Sequence, residues 1–358
     1  MLRFTRILAV AALLGLAAPA AAFVDAEALN LKSSAVLVLD EATGQVLVGK
    51  NARAIVPIAS ITKLMTAMVT IDARLPLDEA IEITDEDYES VKGERVRTRL
   101  PVGSVVTRED LLRLALMASD NRAAAALGRT YPGGPYAFAQ AMNVKAQMLD
   151  MADSHFVEPT GLLSANVSSA QDLAKLVRAA NGYPLIREFS TTPSHTFVIN
   201  GRLVEYGNTN GLVRDGDWEI GVQKTGFIRE AGRCLVMYAK LAARPVIIVL
   251  LDSVGRYTRL ADAARIRDWL DPDYDVPNSL AHAEIARERP VTPVRLKVAG
   301  RTVKLSVVKK GSAKGRSAKA ASAKVASAKA SGKAGVSAPN ASRGQAAVRV
   351  KTSYRTPA

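Results

Sequence analysis

The 358-residue chain is 48% hydrophobic and carries a formal net charge of +14, enough apolar content for one large core or two medium ones. Residues 301–358 hold 14 Lys and Arg and no Asp or Glu, whereas the other 300 residues balance at 34 basic against 34 acidic, so the excess belongs wholly to the tail. A nucleic-acid enzyme loses its main support, the single Cys234 excludes an intramolecular disulfide, and His155, His195 and His282 lack zinc-site spacing.

At the N-terminus, Arg3 and Arg6 precede an apolar run from Ile7 to Ala18, then Pro19 and three alanines. Roughly 12 apolar residues are too few to cross a bilayer, and the small residues before Phe23 suit signal peptidase. Residues 1–22 therefore read as a cleaved secretory signal, with a retained anchor as the alternative. Ser34 to Asn51 predicts two strands around an E-A-T-G turn.

The next segment, P-I-A-S-I-T-K-L-M-T-A-M-V over 57–69, predicts a buried helix with a lysine in its first turn. A capping box would place Glu or Gln three residues after the serine, and a cation is disfavoured at the positive end of the helix dipole. The i, i+3 spacing puts Ser60 Oγ and the Lys63 amine on one face. Capping does not explain that pairing.

T-R-E-D, from Thr107, opens a further helix, A-A-A-A-L-G closes a companion at Gly128, and Ser169 with Asp172 caps another. Strand character returns in I-G-V-Q-K-T-G-F, C-L-V-M-Y-A-K and P-V-I-I-V-L-L-D, followed by an amphipathic closing helix. Strands at both ends of a helical middle imply termini that meet in one sheet, with a domain boundary near Asp275. Cys234 in its strand reads as a small core residue rather than a nucleophile. Residues 276–308 contain a linker and a small hairpin symmetric about Gly300-Arg301, with Val298 opposite Val303 and Leu296 opposite Leu305. From Lys309 the chain repeats S-A-K every five residues, at Lys314, Lys319, Lys324 and Lys329, a period that keeps no helix face. Residues 309–358 therefore read as a disordered basic tail.

Three short motifs carry the chemistry, each with a decoy. Ser60-x-x-Lys63 is echoed at Ser306 to Lys309, Ser119-Asp120-Asn121 by Ser164-Ala165-Asn166, and Lys224-Thr225-Gly226 by Lys351-Thr352-Ser353. Singly, the second could be a helix-joining turn and the third a strand end. Together, in this order and in their contexts of helix start, helix break and late strand, they form the set found in class A β-lactamases and penicillin-binding proteins.

With F-V-E-P-T-G-L, N-T-N-G-L-V and A-G-R-C-L-V, the stretch from Ser34 to Pro272 resembles the D-alanyl-D-alanine carboxypeptidase and endopeptidase family, most closely its periplasmic endopeptidase branch. The resemblance implies an α+β, serine β-lactamase/DD-peptidase-like fold over residues 23–275, a central antiparallel sheet flanked by helices with an inserted all-helical subdomain. It implies Ser60 as nucleophile, Lys63 as its base and Ser119 as proton relay to the leaving amine. Asn121 would hold the substrate amide, Lys224, Thr225 and Gly226 the substrate carboxylate side, and the backbone N–H groups of Ser60 and Phe227 the oxyanion. No cofactor or metal enters. The implied partners are peptidoglycan stem peptides and, as covalent inhibitors, β-lactams, in the periplasm.

A serine needs a base within hydrogen-bond reach, and Lys63 serves only when neutral. Burial, the helix dipole and a second cation at Lys224 are the expected causes of a lowered pKa. Trimming of a terminal D-alanine and cutting of a D-alanyl crosslink share this chemistry, and a class A-like β-lactamase would add a water-positioning glutamate, for which Glu158 is the candidate. A non-catalytic wall-binding protein is the remaining alternative. The basic tail could hold the chain against anionic lipid or wall carboxylates; nucleic acid is not expected behind a secretory signal.

Overall fold

The computed structural model describes residues 24–89 and 99–272, with the backbone of two short strands within 295–304. The signal segment, His282, the basic tail and the decoys at Ser306 and Lys351 lie outside the described residues. The chain divides into two units, residues 1–289 and 290–358. In the second, Leu296 pairs with Val303 and Val298 with Arg301. This corrects the register expected from sequence symmetry by two residues, because pairing Val298 with Arg301 leaves only two residues between the strands, the connection hairpins favour.

The first unit is built on a six-stranded sheet of order β1 (Val24–Asp25), β3 (Val46–Lys50), β2 (Ser33–Asp40), β12 (Arg244–Ser253), β11 (Gly232–Leu241) and β10 (Glu219–Ile228). Its neighbours run antiparallel except β1, which is parallel to β3. Three ribbons complete the strands: β4 (Val56–Pro57) with β7 (Val167–Ser168), β5 (Ala80–Glu82) with β6 (Val105–Thr107), and β8 (Ser194–Ile199) with β9 (Arg202–Gly207). The helices between β4 and β10 are α1 (Thr62–Asp72), α2 (Asp85–Glu89), α3 (Arg108–Met117), α4 (Asn121–Arg129), α5 (Gly134–Met148), α6 (Ala170–Asn181), α7 (Pro184–Thr191) and α8 (Gly211–Asp215), and α9 (Thr258–Leu270) follows the sheet. The strands expected at both ends of the helical middle do share one sheet, since β2 lies against β12.

The unbroken apolar runs of the central strands follow from burial on both faces. Leu37, Leu39, Val236, Ile247, Val249 and Leu251 enter one core with α1, α3, α4 and α6. The alternate residues Val36, Val38, Leu235, Met237, Ile248 and Leu250 enter a second core with Ala263 and Ile266 of α9. Cys234 is fully buried in the first, and burial pushes its thiol up to about 11.

The caps expected from sequence are present. Thr107 Oγ1 accepts from Asp110 N at 3.0 Å and Ser169 Oγ from Asp172 N at 3.2 Å. The β8–β9 ribbon was not expected, although Asn200-Gly201 between its strands, with φ of 52° and 73°, is the left-handed pair a tight hairpin requires.

Candidate active site

Ser60 precedes the α-helix instead of opening it: it sits in a 3-10 turn, Ala59–Ile61, and α1 begins at Thr62. It caps nothing, which removes the bland reading of that serine. Lys63, fully buried in the first turn of α1, donates from Nζ to Ser60 Oγ at 3.0 Å, to Asn121 Oδ1 at 2.6 Å and to the Thr160 carbonyl at 2.6 Å. Three acceptors fix all three N–H directions of an ammonium, and one of them is the serine oxygen.

Ser119 lies at the break between α3 and α4 with φ of 58°, an uncommon conformation for a residue with a side chain. The turn reading of this motif is half right. Asp120 caps α4, its Oδ1 accepting from Ala123 N at 3.1 Å, while Asn121 turns inward to Lys63. Across the cleft, Lys224 on β10 donates to Ser119 Oγ at 2.8 Å and to the Thr225 carbonyl at 3.0 Å. The site therefore consists of two Ser–Lys pairs, Ser60 with Lys63 and Ser119 with Lys224. All three motifs meet there, whereas the decoy residue Asn166 serves a loop, its Oδ1 accepting from Val157 N at 2.7 Å.

Two glycines permit the close approach. A Cβ on Gly226 would stand 3.0 Å from the Ile58 carbonyl oxygen and 3.2 Å from Ser60 N, so its absence lets β10 lie against the Ser60 backbone. Gly161, at φ of 79°, passes the Ala59 carbonyl where a Cβ would come within 2.0 Å of the oxygen. Ala59 itself is held at φ of 49°, strain of the kind that collects at functional sites. Phe227, the next residue along β10, is 52% exposed.

Burial lowers the Lys63 pKa to about 8, against smaller raising effects of Glu158 and Asp120. Lys224 is pushed well below the ordinary lysine range, first by burial, then by the charges of Lys63 and Arg259. Burial is thus the largest cause at both lysines, and the two carboxylates offset it in part at Lys63.

Sequence reasoning missed three contributors. Thr209 Oγ1 lies 2.6 Å from Thr225 Oγ1. Arg259, in the first turn of α9, is buried with Nε and Nη1 lacking a hydrogen-bond partner among the described residues, and burial lowers its pKa to about 10. The Thr160 carbonyl belongs to F-V-E-P-T-G-L, a motif in which only Glu158 had a candidate role. In that loop Glu158 Oε2 accepts from Thr160 N at 2.5 Å, and Oε1 from Gly161 N at 2.6 Å and Asn166 Nδ2 at 2.7 Å. A carboxylate so engaged by its own loop is poorly placed to activate water.

A family model described as D-alanyl-D-alanine carboxypeptidase matches residues 22–255. The chain is 48% identical over 244 residues to a D-alanyl-D-alanine endopeptidase of Pseudomonas aeruginosa, covering 68% of this chain and 78% of the relative. It is 42% identical over 289 residues to one of Escherichia coli, covering 80% and 92%. The solved structure of the Streptomyces K15 DD-transpeptidase matches with a TM-score of 0.63 at 28% identity, covering 67% of this chain and 97% of that one.

Proposed function

The chain belongs to the D-alanyl-D-alanine carboxypeptidase family, and from that premise we propose that it is a penicillin-sensitive serine endopeptidase cutting D-alanyl crosslinks between peptidoglycan stem peptides. The observation that carries the chemistry is the 3.0 Å contact from Lys63 Nζ to Ser60 Oγ. The likeness to two endopeptidases favours crosslinks over terminal D-alanine as the target.

Neutral Lys63 takes the Ser60 proton as Oγ attacks the D-alanyl carbonyl carbon. The oxyanion is met by the backbone N–H groups of Ser60 and Phe227, each donor worth about 2.7 to 4 kcal/mol. Collapse breaks the C–N bond, the amine leaves with a proton delivered through Ser119, and water then hydrolyses the Ser60 ester. Asn121, whose Oδ1 accepts from Lys63, has its Nδ2 to offer the substrate amide. A carboxylate near the scissile bond suits Lys224, Thr225 and the buried cation of Arg259.

Such a carboxylate also decides which lysine is neutral. A bound carboxylate favours the charged form of Lys224, and a charged Lys224 disfavours charge on Lys63. Substrate thereby prepares its own base.

The reading extends to location. No helix among the described residues is long and apolar enough to cross a membrane, and the apolar N-terminal run suits export to the periplasm. The lysines spaced through residues 309–358 suit loose attachment to an anionic wall or membrane surface. Deleting residues 309–358 should weaken pelleting with isolated wall at low salt; unchanged pelleting removes the tail from this account.

The deciding experiment is mass spectrometry of muropeptides incubated with the enzyme, crosslinked dimers beside uncrosslinked pentapeptides. Dimers falling to monomers are expected. Loss of one D-alanine from pentapeptides with dimers intact would make the enzyme a carboxypeptidase. Ser60→Ala should abolish both cleavage and the covalent penicillin adduct, and an adduct on that variant would remove Ser60 as nucleophile.

A further inference from the structure

Glu158 has no step in the chemistry above, yet it stands against the base. Besides its bonds to Thr160 N, Gly161 N and Asn166 Nδ2, its Oε1 lies 3.4 Å from Leu163 N. Asn166 passes the restraint on to both sides of Ser60. Its carbonyl accepts from Ile58 N at 3.1 Å, and its Nδ2 lies 3.3 Å from Thr62 Oγ1. Within the same loop, the Thr160 carbonyl accepts from Lys63, the Pro159 carbonyl from Thr66 Oγ1 at 2.7 Å, and Gly161 packs on Ala59. One carboxylate thus ties the loop that grips the nucleophile's turn before, at and after the serine.

We propose that Glu158 is a positioning residue that holds the 157–166 loop so that the Thr160 carbonyl keeps Lys63 Nζ on Ser60 Oγ, with its own negative charge facing that ammonium. The proposal rests on Lys63 as the base. It assigns to Glu158 the opposite of a deacylating role: it serves formation of the acyl-enzyme and not its hydrolysis.

The charged groups facing Lys63 are Glu158 from the loop, Asp120 from the α3–α4 junction and Lys224 from β10; Arg259 of α9 acts on Lys224. Of the two carboxylates, Glu158 has the larger raising effect on Lys63. Removing that charge while keeping the side-chain shape must lower the pKa further, so neutral lysine appears at lower pH.

The test is the second-order rate of acylation by a fluorescent penicillin between about pH 5 and 10, with adduct mass and adduct lifetime, on the wild-type chain, Glu158→Gln and Glu158→Asp. In Glu158→Gln, acylation should slow by about tenfold or more, because an ångström of misplacement is costly, and the rising limb should move to lower pH. Glu158→Asp keeps the charge but shortens the reach, so its rate should fall with the limb in place. A merely structural loop tie would lower the rate without moving the limb. Glu158→Gln with an unmoved limb therefore overturns the proposal, as does full-rate acylation in Glu158→Asp. Normal acylation with a stalled adduct in Glu158→Gln would overturn it in favour of water activation. No adduct on the wild-type chain would overturn the Ser60 reading itself, a distinct outcome that takes this proposal with it.

Discussion

Lys224 Nζ stands 2.8 Å from Ser119 Oγ, a serine on the helical side of the cleft held by a lysine on the sheet side. If the pair relays a proton as a unit, each single alanine variant should lower kcat/KM by on the order of a hundredfold or more. The Ser119→Ala, Lys224→Ala double variant should then be little worse than the poorer single one. Losses that multiply would mean that the two residues act independently.

The Lys63 pKa of about 8 gives a pH dependence with a definite sign. Only neutral lysine accepts the Ser60 proton, so the acylation rate should rise with pH, from about a tenth of its plateau at pH 7 to about nine-tenths at pH 9. A penicillin acylation profile that is flat between those values would deny Lys63 the role of base. Lys63→Ala should come close to Ser60→Ala in its loss of acylation.

Gly161→Ala should damage both stability and catalysis. The new Cβ would meet the Ala59 carbonyl at 2.0 Å, at a φ of 79°, so backbone must move beside Ser60. A cost of about 2 kcal/mol or more corresponds to a fall in Tm of about 5 °C, and acylation should fall with it. A variant with unchanged Tm and unchanged acylation would show that the loop does not brace the serine turn.

Cys234 should be inert. It is fully buried, with its thiol pushed up to about 11, so little thiolate forms at neutral pH. Thiol reagents should leave the native enzyme unlabelled and its penicillin acylation unchanged; rapid labelling of the folded chain would contradict the burial.

How far the sequence could be read follows from where the information lies. Ser60 and Lys63 announce themselves because i, i+3 spacing converts directly into proximity. Thr107 and Ser169 were legible as caps for the same local reason. Arg259 had no site role in the sequence and Glu158 only that of a candidate water-positioning group, because their relation to Lys224 and Lys63 depends on segments separated by dozens of residues. Thr209 reaches Thr225 only once a loop and a strand have packed. The 3-10 turn at Ser60 was not legible because the segments that pack on it, at Gly161 and Gly226, reach the Ala59–Ser60 backbone only in the tertiary structure. The hairpin register differs for another reason: the symmetry of the sequence favours one pairing and the two-residue connection another.

The pairing of β2 with β12 sets Val38 opposite Ile248, joining the start of the unit to its end. The middle of the sheet thus joins segments from the two ends of the unit, contacts of the kind that form slowly. During synthesis, the strand that carries Lys224 and the strand that closes against β2 emerge only after every helix of the active-site half. A nascent chain therefore holds Ser60 and Lys63 without the sheet that brings Lys224 and Gly226 to them. Such a hydrolase has a complete site only once its last strands are in place.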